Sequence, residues 1–256
     1  MGEAGTAVVE KLLPGLRQEY DIQVVIAQAE NVTAGRGISL ADYTRLQQAG
    51  VDFFTGGNHI FDNKEIYPQL NDPNEPIIRP ANYPEGTPGL GYKYLPTKDG
   101  QILVISLLGQ IVGKQSTQPL DNPLKIIDQI LAAEQATPKI ATVVNFHGDF
   151  SSEKVIIGHY LDGRATLVVG DHWHIPTADA RLLPKSTAHI TDVGMCGALN
   201  SSLGVTFDSV VPRWRDGLQT RNVLEEQGSR QLNAVLVTIN KQGLASSIEQ
   251  IQRVIG

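Results

Sequence analysis

The sequence contains a single cysteine, Cys196, among 256 residues. An intramolecular disulfide is therefore excluded. The chain also lacks a charged segment followed by an apolar segment at its start, which a secretion signal would require. No apolar run approaches the roughly 18 to 20 residues that a membrane-spanning helix needs. We therefore expect a cytoplasmic protein with no contact to a membrane.

Clustered positive charge is also missing. The chain carries 21 lysines and arginines against 27 acidic residues, a net charge of -6, and its basic residues are scattered. A protein that binds duplex nucleic acid needs a concentrated basic surface, so this class is disfavoured. No G-x-G-x-x-G motif follows a strand-like run, which disfavours a nucleotide-dependent dehydrogenase. A small anionic substrate held by metal ions remains compatible with this charge.

Short apolar runs alternate with amphipathic segments along the chain. With 41% hydrophobic residues, residues 1–256 can form a single domain with a substantial core. The alternation predicts an α/β fold in which helices cover a mostly parallel sheet. Strands are predicted at 21–28, 51–56, 101–109, 139–146 and 164–170, and helices at 2–19, 39–50, 62–70, 122–135 and 151–163. Residues 71–92 are rich in proline, glycine and asparagine and predict a long ordered loop, while 232–251 predict a β-hairpin.

Polar side chains that can bind metals follow four of the predicted strands. Glu30 and Asn31 follow the first strand, Asn58 and His59 the second, His147 the fourth, and His172 and His174 the fifth. The carboxyl ends of parallel strands meet at one edge of a sheet, so these residues should converge. Four of the six histidines occupy such positions, whereas His159 falls in a predicted helix and His189 begins or precedes a strand.

Each of these residues has an ordinary structural explanation when it is taken alone. Most histidines are structural, and a glutamate after a strand can cap a helix. The pair His172 and His174 is more informative, because alternate residues of an extended segment point the same way and can face one pocket. Taken together, imidazoles, a carboxylate and amide oxygens predict a site for iron, manganese or zinc. Their number exceeds one tetrahedral shell, so two metal ions about 3.5 to 4 Å apart would use all of them.

Several longer motifs resemble the YmdB-type metallophosphoesterases of the calcineurin-like superfamily. The matching stretches are AENVTAGRG, GGNHIFDNKE, RPANYPEGTPG, NFHGDFSSEK, YLDGRATLVVGDHWHIPTADARLLP and ITDVGM, in the order found in that family. The resemblance implies a four-layer sandwich of two β-sheets flanked by helices. It also implies a dinuclear metal centre and a phosphodiesterase acting on small cyclic nucleotides, especially 2′,3′-cyclic ones. A homo-oligomer is expected as well.

The resemblance assigns a role to each candidate residue. Glu30 corresponds to a carboxylate that bridges the metals, Asn31 and His174 to ligands of the first metal, and Asn58, His147 and His172 to ligands of the second. His59 corresponds to the general acid that protonates the leaving ribose oxygen. In the mechanism that this implies, a hydroxide held between the two metal ions attacks phosphorus.

The sequence departs from the family pattern in two places. Family members begin with a strand that ends in Gly-Asp, and this aspartate binds the first metal, whereas the present sequence begins just after it. We therefore expect the first strand and one ligand to be absent, either naturally or through a misplaced start. Glu3 is a candidate substitute, although a solvated position at a helix start suits it better. Trp173 stands where the family carries a smaller residue and could narrow the pocket or stack on a base.

The absent aspartate leaves two functional classes open. An active dinuclear phosphodiesterase is favoured by His59 and the remaining ligands. A non-catalytic or regulatory protein on the same scaffold, with weak metal binding, is favoured by the gap at the first metal. Metal content together with turnover of 2′,3′-cyclic AMP distinguishes the two.

Overall fold

Strands and helices alternate along most of the chain. The computed structural model describes residues 1–113 and 117–256. The helices are α1 (Gly2–Glu19), α2 (Leu40–Ala49), α3 (Tyr67–Asn71), α4 (Pro123–Ala133), α5 (Ser151–Tyr160) and α6 (Phe207–Asp216). The strands are β1 (Ile26–Gln28), β2 (Phe53–Thr55), β3 (Tyr92–Thr97), β4 (Gly100–Leu108), β5 (Ala141–His147), β6 (Leu167–Asp171), β7 (Arg181–Leu182), β8 (Ala188–Ile190), β9 (Gly197–Ala198), β10 (Arg230–Ile239) and β11 (Ala245–Ile255). None of the helices in these two ranges is long and apolar enough to cross a membrane.

The strands form three sheets. The largest has the order β3-β4-β5-β6-β8-β7, with β4, β5, β6 and β8 parallel and an antiparallel strand at each edge. Strands β1 and β2 form a parallel pair, and β9, β10 and β11 form an antiparallel sheet. The parallel centre of the largest sheet places the carboxyl ends of β5 and β6 side by side, which is where the predicted histidines lie.

Four apolar clusters bind these elements into layers. One lies between β2 and the six-stranded sheet and includes Phe53, Val104 and Val143. The opposite face of that sheet packs against α4 and α5. On the other side of the molecule, α1 and α2 cover β2, and α1 also packs against β10 and β11. The predicted sandwich of sheets flanked by helices is confirmed, but with three sheets among the described residues in place of two. The expected absence of a first strand ahead of α1 stays a prediction.

Local signals in the sequence explain several element boundaries. The Ser39 hydroxyl accepts a hydrogen bond from the backbone N–H of Asp42 (3.1 Å) and so caps α2, as predicted. Helix α2 ends at Gly50, whose φ of 107° favours glycine. The predicted hairpin is present as β10 and β11. Residues 72–91 form the predicted long loop, in which Ile77 pairs with Phe54 of β2 in an isolated bridge.

Other elements differ from the sequence prediction. Strand β1 spans only Ile26–Gln28, not 21–28, because the backbone N–H of Val25 is bonded to the Asp52 carboxylate. Strand β3 was not predicted, since Pro96 argues against a strand, but β3 is an edge strand and tolerates a missing donor. Helix α6 was not predicted either, because Pro212 and its charged residues weaken the helical pattern.

Candidate metal centre

Four of the predicted ligands converge where strands from two sheets end. Glu30 and Asn58 lie in the turns that follow β1 and β2. His147 is the last residue of β5, and His172 directly follows β6. Because β5 and β6 are adjacent and parallel, both histidines leave the six-stranded sheet at the same edge. Each sheet therefore contributes half of the site.

The convergence is centred on the Nε2 atom of His147. This nitrogen lies 3.2 Å from Glu30 Oε1, 2.8 Å from Asn58 Oδ1 and 2.9 Å from His172 Nδ1. We call these four residues the His147 cluster. Glu30, Asn58 and His147 are buried and His172 is half-buried, so the cluster is largely shielded from solvent.

The ligand atoms of the His147 cluster have too few hydrogens to satisfy one another by hydrogen bonds, so they suit a metal ion. His172 Nε2 lies 3.0 Å from Asp149 Oδ1, so Nε2 carries the hydrogen and the Nδ1 lone pair faces the cluster. His147 Nε2 has at most one hydrogen, yet it faces this lone pair and two oxygens. Ligand atoms about 2.0 to 2.1 Å from a tetrahedral cation stand ~3.3 Å apart, which is close to the three distances from His147 Nε2 to the other ligand atoms. Imidazole, carboxylate and amide donors suit zinc, manganese or iron.

Two aspartates that the sequence analysis did not single out orient these histidines. Asp171 Oδ1 lies 2.5 Å from His147 Nδ1, and its other oxygen accepts a hydrogen bond from Asn145 Nδ2 (2.7 Å). Asp149 holds His172 in the same manner. A carboxylate on the far nitrogen fixes the tautomer and the ring orientation of a ligating histidine. Both aspartates lie near a predicted ligand along the chain, which is the signal that could have revealed them.

The charges of the His147 cluster are strongly coupled. Burial disfavours the charged form of Glu30, but the nearby His147 and the backbone N–H of His59 outweigh burial and lower the pKa of Glu30 to about 2. Burial likewise disfavours a charged His147, but Glu30 and Asp171 outweigh it and raise its pKa to about 10. Burial lowers the pKa of His172. In the metal-free protein, His147 is therefore protonated. A cation in the cluster would replace this proton.

His59 lies beside the His147 cluster. Its backbone N–H donates to Glu30 Oε2 (3.0 Å), which fixes the position of the residue. Its Nδ1 atom lies 2.9 Å from Asp62 Oδ2, so Nδ1 carries a hydrogen. The Arg36 guanidinium lies 3.6 Å from the same carboxylate. This arrangement leaves Nε2 of a partly exposed imidazole available to exchange a proton with a bound molecule.

The side chains of Asn31 and His174 make their polar contacts elsewhere. Asn31 Nδ2 donates to the carbonyl of Gly35 (2.9 Å), and His174 Nδ1 donates to the carbonyl of Leu203 (2.9 Å). With Nδ1 occupied, Nε2 of His174 retains a lone pair for a ligand. The assignment of these two residues to a first metal stays a prediction.

Glu3, the candidate substitute for the absent aspartate, and Trp173 both make defined contacts in the structure. Glu3 forms an ion pair with Arg45 (3.0 Å) on an exposed surface, which agrees with a solvated residue at a helix start and not with a ligand. The indole of Trp173 stacks on the Lys154 ammonium, and its Nε1 donates to the carbonyl of Asp149 (2.9 Å). Trp173 is thus fixed against the loop that carries Asp149.

Known proteins resemble this chain in both sequence and structure. A family described as YmdB-like protein matches residues 1–251. The chain belongs to the YmdB-like family. It is 39% identical over 244 residues to a Bacillus subtilis (strain 168) protein named 2′,3′-cyclic-nucleotide 2′-phosphodiesterase, and the match covers 94% of this chain and 89% of that protein.

Two solved structures superpose over nearly all of the chain. A hypothetical protein from Thermus thermophilus has a TM-score of 0.89 and 36% identity, with 99% of this chain and 96% of the other covered. A novel phosphatase from Mycoplasma pneumoniae has a TM-score of 0.90 and 30% identity, with 99% and 90% covered. The predicted YmdB-like family, the calcineurin-like sandwich and the prediction of a hydrolase are confirmed. Membership of this metallophosphoesterase family implies divalent metal ions.

Proposed function

We propose that this YmdB-like chain is a metal-dependent phosphodiesterase that hydrolyses small cyclic nucleotides of the 2′,3′ type. The observation that carries the proposal is the convergence of Glu30, Asn58 and His172 on Nε2 of His147. The Bacillus subtilis relative, whose name specifies a 2′,3′-cyclic substrate, supports the substrate class.

The residues of the His147 cluster would hold one cation, and Asn31 and His174 together with Glu30 would hold a second. Bound metal ions of this kind supply a water-derived nucleophile at neutral pH and neutralise charge on phosphoryl oxygens. Imidazole, carboxylate and amide donors favour iron, manganese or zinc. Asp171 and Asp149 keep the lone pairs of His147 and His172 directed into the site.

His59 completes the reaction as the general acid. The water releases one proton to solvent, and its oxygen forms a bond to phosphorus while the bond from phosphorus to the ribose 2′ oxygen breaks, which opens the ring. The 2′ oxygen takes the proton of His59 Nε2 and becomes a hydroxyl, and the phosphate stays on the 3′ oxygen. Solvent later returns a proton to His59. Asp62 accepts the Nδ1 hydrogen and so fixes the orientation of the imidazole.

A weakly active metal-binding protein on the same scaffold is the second candidate. It is favoured because Glu30, His147 and His172 form the metal-binding group found among the described residues, and His174 lies outside that group. In that case one cation would bind at the His147 cluster and the second would bind weakly. The two candidates differ in metal stoichiometry and turnover, so one set of measurements separates them.

The test combines metal analysis with a substrate comparison. The protein is stripped with a chelator, reloaded separately with Mn²⁺, Fe²⁺ or Zn²⁺, and assayed with 2′,3′-cyclic AMP and 3′,5′-cyclic AMP. We expect about two metal ions per chain, preferential turnover of the 2′,3′ substrate and a 3′-phosphate product. His172→Ala should lose both metal and activity, while His159→Ala, on the exposed face of α5, should lose neither. Equal metal content in the two variants would argue against the site.

The other predictions made from the sequence concern cellular location, oligomeric state and binding of nucleic acid. A cytoplasmic location and a homo-oligomer stay predictions, and light scattering of the purified chain checks the second. Binding of duplex nucleic acid is not expected, because the net charge is -6.

A further inference from the structure

The loop that carries His172 and His174 has an unfavourable backbone conformation. His172 has a φ of 113° and His174 a φ of 65°, although neither is a glycine. Residues with a side chain rarely adopt positive φ, and they persist there only when the surrounding structure imposes it. Contacts with the surrounding structure must therefore hold this loop in place.

A fully buried ion pair lies beneath this loop. Lys154 Nζ, from α5, lies 2.7 Å from Asp192 Oδ2, and both side chains have 0% exposure. A buried ion pair is a poor source of stability, because removing two charges from water costs about as much as their attraction returns. The function of the pair is therefore better explained by the neighbouring groups that Lys154 and Asp192 hold in place.

Asp192 connects the ion pair to the backbone between the two histidines. Its Oδ2 atom accepts a hydrogen bond from the backbone N–H of Trp173 (2.8 Å), and its Oδ1 accepts one from that of Gly194 (2.9 Å). A carboxylate can accept on both oxygens, whereas an amide has only one acceptor. Asparagine at this position would therefore leave one of the two backbone donors without its partner.

Lys154 holds the same loop through the side chain of Trp173. The ammonium nitrogen lies 4.0 Å from the centre of the indole ring, and the indole nitrogen donates to the carbonyl of Asp149. Asp149 is the residue whose carboxylate orients His172. The backbone and the side chain of Trp173 are thus fixed by opposite members of one ion pair.

We infer that the Lys154–Asp192 pair is a positioning device that imposes the backbone conformation of residues 172–174 and so orients His172 and His174. The pair contacts neither histidine side chain in the interactions described above and acts through Trp173. The consequence for metal binding rests on the proposed function, whereas the consequence for the orientation of the histidines does not.

The test uses a variant that removes both charges together, Lys154→Met/Asp192→Asn, so that no unpaired charge is left buried. The single variant Asp192→Asn is measured beside it. Ile157→Val is the control, because Ile157 is buried on the same helix as Lys154 and its truncation loosens packing without touching the loop. The readouts are the imidazole ¹H–¹⁵N spectrum of the metal-free protein and Mn²⁺ affinity measured by calorimetry.

In the double variant we expect the signals of His172 and His174 to shift or broaden, while that of His59, held by Asp62, stays in place. Mn²⁺ affinity should fall by about 10- to 100-fold, as is usual when a group that orients ligands is lost. Ile157→Val should leave both readouts as in the parent. Unchanged signals of His172 and His174 in a folded double variant would overturn the inference.

The two proposals fail in different ways. If the histidine signals move but the parent protein itself binds no Mn²⁺, the positioning role stands and the proposed metal site is wrong. If the parent binds Mn²⁺ and the double variant binds it equally well, the ion pair does not position ligands and the inference is wrong.

Discussion

His147 must lose a proton before a cation can occupy its cluster. Glu30 and Asp171 outweigh the effect of burial and raise the pKa of His147 to about 10, so it is protonated at neutral pH. The pKa of Glu30 is about 2, and burial lowers that of His172, so neither releases a proton there. Mn²⁺ binding should therefore release about one proton per cluster, and affinity should rise about tenfold per pH unit between roughly pH 7 and 9.

Calorimetry of Mn²⁺ binding in buffers with different heats of ionisation measures this proton directly. His159→Ala, on the exposed face of α5, serves as the control and should release the same number of protons as the parent. A heat of binding that is independent of the buffer would contradict the prediction.

His59 should affect the chemical step without affecting metal content. Its link to Glu30 runs through the backbone N–H, which His59→Ala retains, so metal occupancy should stay near that of the parent. Turnover of 2′,3′-cyclic AMP should fall about 100-fold or more, because the leaving ribose oxygen loses its proton donor.

A nitrophenyl phosphodiester provides the discriminating comparison. Nitrophenolate leaves readily without a proton, so His59→Ala should slow this substrate much less than the cyclic nucleotide. Equal loss on both substrates would show that His59 is not the general acid.

At the scale of elements, the turn after β2 passes very close to Glu30 and His147. A Cβ atom on Gly57 would collide with Glu30 Oε2 and would lie 2.7 Å from Cδ2 of His147. Only a residue without a side chain allows β2 to approach β1 and β5 in this way. The glycine is required by packing, since its φ is not in the left-handed region.

Gly57→Ala should therefore displace Glu30 or His147 and lower Mn²⁺ affinity by about 10-fold or more. Gly15→Ala is the matched control, because a Cβ at Gly15 of α1 meets nothing within 4 Å and alanine favours a helix. Calorimetric affinity and thermal unfolding measured on both variants check the prediction. A Gly57→Ala protein with parental affinity would show that the cluster tolerates movement of this turn.

At the scale of the whole molecule, a cation in the His147 cluster would link the two halves of the sandwich. Glu30 and Asn58 come from the β1-β2 side, and His147 and His172 come from the six-stranded sheet. Unfolding separates these sheets and scatters the ligands, so metal binding must stabilise the folded chain.

Mn²⁺ at about 100 times its Kd should add about 2.7 kcal/mol to the free energy of unfolding. For a chain of this size, that corresponds to a rise in Tm of about 5 to 10 °C. The rise should disappear with chelator and in His147→Ala, and it should persist in His159→Ala. Calorimetric melting of the three proteins measures it, and an equal rise in His147→Ala would place the stabilising metal elsewhere.

The sequence by itself determined the α/β alternation of the chain and which polar residues follow its strands. Periodic apolar residues specify helices and strands locally, which is why α2, α4, α5 and the final hairpin were predicted close to their observed bounds. Parallel strands share one carboxyl edge, so His147 and His172 could be expected to meet after β5 and β6, and Glu30 and Asn58 to meet after β1 and β2. Both inferences depend on short-range patterns and on a general rule of sheet topology.

Only the tertiary structure decided how the site is oriented and held. The side chains of Asn31 and His174 could be placed after their strands, but their bonds to the carbonyls of Gly35 and Leu203 depend on where distant loops lie. The partnership of Asp171 with His147, and the Lys154–Asp192 pair, likewise depend on partners that are brought close only in space. Burial, coupling of charges and backbone strain arise from contacts between residues far apart in sequence, and no local pattern encodes them.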